Sequence, residues 1–117
     1  MRIYGMATYN LTDLTDPQIF QRKYPDTVHA INPFYWNNVE VGHYVRIRRN
    51  NEYFYVQVRE INDELVTGEV YYPLGTNEFD TGDLLIFRKC YMFDIYDAYT
   101  FNLIPGAEPF SFSSPYY

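Results

Sequence analysis

Val41-Gly42-His43-Tyr44-Val45-Arg46-Ile47 recurs forty residues later as Thr81-Gly82-Asp83-Leu84-Leu85-Ile86-Phe87. In each copy a glycine and a polar residue open a strand-like run. Glycine bends the backbone at no steric cost, and the polar side chain after it can bond the free amides of the turn. Two more strand-like runs lie between the copies, so residues 39–97 read as one small all-β unit.

The first strand spans Tyr44 to Arg49, with Val45 and Ile47 inward and Tyr44, Arg46 and Arg48 outward by period-two alternation. Asn50-Asn51-Glu52 makes a hairpin turn, because asparagine tolerates positive φ. A second strand, Tyr53 to Glu60, places Phe54, Val56 and Val58 on one face and Tyr53, Tyr55, Gln57 and Arg59 on the other. Asn62-Asp63-Glu64 turns the chain into a third strand, Leu65 to Tyr72, where Gly68 marks a bend or bulge that lets a short sheet curl. After an interruption over 73–80, Leu84 to Phe87 and Tyr91 to Tyr96 supply the last two strands. The pattern predicts a mainly β fold, a single small five-stranded barrel with a short N-terminal helix and extended N- and C-terminal arms.

The flanks divide accordingly into an N-terminal arm over 1–38, the barrel over 39–97 and a tail over 98–117. Residues 3–11 suit a short extended arm, and Asn10-Leu11-Thr12 matches the glycosylation sequon. Asp16 as cap, Pro17 at the first helical position and Pro25 as stop predict a two-turn helix over 16–24, with Ile19, Phe20 and Tyr24 as its apolar stripe against the barrel. Trp36, in the aromatic loop Phe34-Tyr35-Trp36, is placed to plug a barrel end. The final segment carries Pro105, Pro109 and Pro115 among Phe110, Phe112, Tyr116 and Tyr117. Such a tail cannot fold alone, so it is expected to lie against its own barrel or a neighbouring chain.

At 117 residues the chain supports one domain with a modest core. Its 14 Tyr, 9 Phe and one Trp exceed what that core can hide. Tyrosine joins a large apolar body to a polar handle, so surplus tyrosine points to interfaces that are both buried and hydrogen-bonded. A net charge of −6 argues against duplex binding, which needs a clustered positive face. Cys90 is the only cysteine, so no intrachain disulfide can form and a reducing compartment is expected. No signal peptide or membrane span is read, which places the protein in the cytoplasm or in a virion.

Catalytic chemistry finds little purchase. Only His29 and His43 could act as bases near neutral pH, and no nucleophile signature surrounds Cys90, although Arg88 and Lys89 are close in sequence. Two separated histidines and one cysteine fit no metal-ligand spacing, and Glu78, Asp80 and Asp83 lack the oxygen-ligand pattern of a calcium loop. No phosphate-binding or dinucleotide fingerprint is present. The expectation is a protein that is not an enzyme and holds no cofactor, metal or small-molecule substrate.

The repeated G-[HD]-x-[VL] step before an alternating strand, with a twisted hairpin between the copies, resembles the small barrels of the Tudor, KOW and Src-homology-3 type. It is also similar to a bacterial domain family of unknown function that carries a doubled glycine-aspartate step. The resemblance covers about 39–97. It departs from the first group in having His43 where aspartate is usual, and it lacks a methyl-lysine reader signature. The acidic, Asn- and Tyr-rich, arm-flanked style also resembles a small virion protein of a large DNA virus. The expected function is therefore a protein-protein interaction module, a minor structural component of a large assembly such as a virion capsid. Its partner-binding residues would be Tyr44, Arg46, Arg48, Tyr53, Tyr55 and Arg59 on the outer hairpin face, with Trp36, Phe110, Phe112, Tyr116 and Tyr117 from the arms. The alternative is a barrel that stacks single-stranded nucleic acid on the same rings. Against it, residues 39–97 hold six basic and eleven acidic side chains.

Overall fold

The two glycine steps are built alike. In the computed structural model, which describes residues 7–24, 33–73 and 79–104, Gly42 and Gly82 take φ of +100° and +98°. The Gly42 amide donates to Val58 O and Val58 N donates to His43 O, while Gly82 N donates to Val70 O and Val70 N to Asp83 O. Each polar residue then closes its own turn. Asp83 Oδ2 accepts from the Asp80 amide at 2.8 Å, and His43 Nδ1 accepts from the Glu40 amide at 3.0 Å. An accepting Nδ1 carries no proton, so imidazole here does the work of a carboxylate. His43→Asp should therefore keep the turn and leave stability within about 0.5 kcal/mol, whereas His43→Ala should cost about 1 kcal/mol by losing the bond. Urea unfolding of the two variants checks this.

Six strands form one mixed sheet in the order β1-β5-β4-β3-β2-β6. They are β1 (Thr8–Asn10), β2 (Tyr44–Arg49), β3 (Glu52–Asn62), β4 (Leu65–Pro73), β5 (Leu84–Arg88) and β6 (Asp94–Tyr96). Strands β2 to β5 follow one another as antiparallel neighbours, and β6 returns to pair with β2, Tyr44 opposite Tyr96. The first hairpin turns on Asn50 and Asn51, both at positive φ, and the second on Asp63 at φ +56°.

The expected five-stranded barrel needs correcting in two respects. The N-terminal segment is not a loose arm, since Thr8–Asn10 pairs in parallel with Leu84–Ile86 as a sixth strand. The sheet also stays open. Strands β1 and β6 are its two edges and do not pair, and the outer side of β6 is taken instead by the Tyr96–Leu103 bridge and the Ile104 N–H to Ile95 O bond. The last strand is shorter than expected as well, because residues 89–91 form a 3-10 turn before β6 begins.

An open sheet still buries one face completely. Val45, Ile47, Val56, Val58, Val66, Val70, Leu85 and Ile95 are fully buried in one cluster with Phe87, Met92 and Tyr35. Among the described residues no second sheet covers them, so the strands must curl around their own core. Gly68 permits the curl. It lies opposite Val58 beside shifts of the β3–β4 register, and its bare Cα faces Val56.

The helix α1 (Pro17–Lys23) is capped by Asp16, whose carboxylate accepts from the Gln18 and Ile19 amides. Its expected apolar stripe is only partly used. Phe20 packs edge-on against Phe93, but Ile19 and Tyr24 remain exposed. With Pro17 the only buried helical residue, α1 rests on the sheet through one ring.

Candidate interaction surface

The outward face of β2 and β3 carries the residues that alternation assigned to it, and the sheet gathers them into two ring groups. In the first, Tyr44 meets Tyr71 of β4 at 4.7 Å between centroids and Phe101 at 5.3 Å. Tyr55 meets the same Phe101 at 5.6 Å and Tyr96 at 5.8 Å, while Tyr96 and Phe101 stack 4.8 Å apart with planes 5° from parallel. Five rings from four strands and one loop thus form one continuous surface. Tyr71 is 53% exposed and Phe101 42%.

The second group holds the arginines. The Arg46 guanidinium lies 4.3 Å from the Tyr53 ring centroid and pairs with the Asp94 carboxylate, which also accepts from the Tyr96 hydroxyl. Burial, and then the charge of Asp94, pushes the Tyr96 phenol far above its ordinary range, so it stays protonated and donating. Arg48 lies 4.5 Å over Phe20 and 5.0 Å from Tyr53, and bonds Asn51 Oδ1. Arg59 is held by Glu69, its Nε 2.8 Å from Oε1, and Arg49 by Asp13. Cation-π and ion-pair contacts therefore already engage every guanidinium of this face.

A loop borders the first ring group. Asp97 Oδ2 accepts from the amides of Tyr99 and Thr100, both at 2.9 Å, and from the Thr100 hydroxyl. The loop ends on Phe101 at φ +57°, a left-handed conformation that costs a bulky residue on the order of 1 kcal/mol. That geometry turns the Phe101 ring onto Tyr96 and leaves Tyr99 95% exposed. Bonds from the Thr100 and Tyr99 amides hold the Asp97 carboxyl below the usual carboxylate range. A group whose folded pKa is depressed stabilises above its unfolded value, and that contribution is lost as pH falls through the folded one. The Tyr99 and Thr100 amide resonances should consequently move together with Asp97 protonation in acid, and an NMR titration of Asp97→Asn should flatten both.

Not every residue singled out by sequence lies here. Trp36 sits away from the ring surface, its Nε1 donating to Met92 O as it packs against the core. Phe110, Phe112, Tyr116 and Tyr117 fall outside the described residues, as do His29 and Glu78. Asp83 is buried beneath its turn instead of lining an acidic loop. The Cys90 thiol is half-buried, and desolvation raises its pKa, contrary to the lowering that its basic neighbours suggest. Sequence reading missed Tyr71, Tyr96, Tyr99 and Phe101 as members of the surface. Alternation alone would have found Tyr71 and Tyr96, which follow the inward Val70 and Ile95.

Among the described residues no group of three or more His, Cys, Asp or Glu side chains is placed to hold a metal ion, and no helix is long and apolar enough to cross a membrane. Comparison of the chain with protein-family models, with curated proteins and with solved structures finds no match to any of them.

Proposed function

We propose that this protein is a non-enzymatic interaction module that binds other protein chains through the outward face of its curled sheet. The observation that carries the reading is the continuous surface of Tyr44, Tyr55, Tyr71, Tyr96 and Phe101, two of whose rings stand exposed. Rings fixed by mutual contact lose little freedom when covered, which is why Tyr-rich patches concentrate binding energy. A relationship to the Tudor, KOW and Src-homology-3 barrels is supported by the run β2 to β5 and the return of β6 to β2 after a single 3-10 turn. A role as a minor structural component of a large assembly, such as a virion capsid, accords with the surplus of rings and the aromatic tail.

The competing single-strand nucleic-acid reading loses its main support, since Arg46, Arg49 and Arg59 are paired with carboxylates and Arg48 is stacked. Phosphate binding would have to break those pairs on a chain of net charge −6.

A photo-crosslinking amino acid at position 71, compared with one at the exposed Leu65 on another part of the sheet, tests the proposal in the native setting. A protein adduct at 71 and none at 65 is the expected result. No adduct at 71, together with oligonucleotide binding at low salt, would replace the reading with its rival.

A further inference from the structure

Resting on that interaction reading, we infer that the ring surface is built for a cationic segment of another protein, whose Lys or Arg side chains lie over the exposed rings and reach two carboxylates at the rim. Four of the molecule's exposed large apolar side chains, Val41, Tyr71, Tyr99 and Phe101, belong to this end of the sheet. The turn bearing Val41 and the loop bearing Tyr99 touch, for a Cβ on Gly42 would stand 3.9 Å from that of Ala98. Glu40 and Asp97 flank these residues, and neither makes an ion pair with a Lys or Arg among the described residues. His43, which accepts from Glu40 N through Nδ1, is the basic side chain that bears on Asp97. The arginines of the same face are spent on Asp94 and Glu69.

What remains for a partner is the negative π-face of several rings beside two carboxylates that no Lys or Arg among the described residues pairs, on a chain of net charge −6. A cation over a ring gains from the quadrupole, its aliphatic stem covers apolar surface, and its head can bond a carboxylate at the rim. A second copy of this chain would bring like charge to the same place, and a nucleic acid would bring more of it. The strained Phe101 and the three bonds onto Asp97 hold the loop in place before any partner arrives.

The test follows the full chain by NMR during titration with three twelve-residue peptides, in which valine alternates with arginine, serine or glutamate. The arginine peptide should shift Tyr71, Tyr99 and Phe101 saturably. Its affinity should exceed that of the serine peptide at least tenfold and fall at least fivefold in Tyr71→Ser, an exposed position whose loss leaves the core intact, and in Glu40→Gln. Shifts centred on the hairpin tip at Glu60, Asp63 and Glu64 would reveal unspecific charge attraction and overturn the inference. Equal binding of the serine peptide at the rings would overturn the cationic partner and leave the interaction surface standing. Ring shifts on dilution alone would name a second copy as the occupant. Saturable shifts from none of the three would remove both the inference and the reading beneath it.

Discussion

Gly68→Ala should destabilise the protein by about 3 kcal/mol, far beyond the small propensity effect of that exchange in an open strand. An alanine Cβ would sit 2.6 Å from Val56 Cγ2 and 2.9 Å from Val56 Cβ. The second atom is the branch point of a fully buried, β-branched side chain, so rotation about χ1 cannot clear it. The clash must be relieved by separating β3 from β4 where their register shifts, and this is the place at which the sheet curls over its core. Chemical denaturation gives the magnitude. A Gly68→Ala/Val56→Ala pair should recover part of the loss, because the second change removes the opposing methyls, and a double-mutant cycle would show the coupling. Additive losses would mean that the curl does not depend on this approach.

Tyr35 should be the other sensitive position. It is buried in the core, and its hydroxyl both accepts from Ile95 N at 2.7 Å and donates to Ile95 O at 3.2 Å. The phenol thus satisfies the Ile95 N–H and shares the Ile95 carbonyl with the Ile104 amide. Tyr35→Phe keeps the ring but strands the buried Ile95 N–H, while Ile95 O still accepts from Ile104 N, at about 1–3 kcal/mol. Tyr35→Ala adds a cavity and should approach about 5 kcal/mol. Amide exchange at Ile95 separates the two causes, since only loss of the hydroxyl bond should raise it in the Phe variant. Unchanged protection there would show that water or relaxation replaces the phenol.

These two positions also mark what the sequence could and could not reveal. Gly68 was legible, because a glycine inside an alternating strand has few other uses. The same alternation found both faces of β2 and β3, and the asparagine pair announced their hairpin. Tyr35 was not legible. Its value comes from meeting Ile95, sixty residues away, and nothing local distinguishes it from its neighbours Phe34 and Trp36. Trp36 drew attention as the single tryptophan, yet the adjacent tyrosine fills the interior. Phe101 was hidden for another reason. Its place among the rings depends on a positive φ that its residue type disfavours and that a bonded Asp97 loop enforces. The sixth strand escaped notice because three residues carry too little periodicity to separate a strand from an arm.

The parallel pairing of Thr8–Asn10 with Leu84–Ile86 constrains the order of events during synthesis. Antiparallel hairpins can zip as they leave the ribosome, whereas this contact joins two segments far apart in the chain. It closes the longest loop in the sheet and so carries the greatest entropic delay. Until it forms, the outer backbone of β5 is bare, and the nascent chain must finish its hairpins before it can shield that margin.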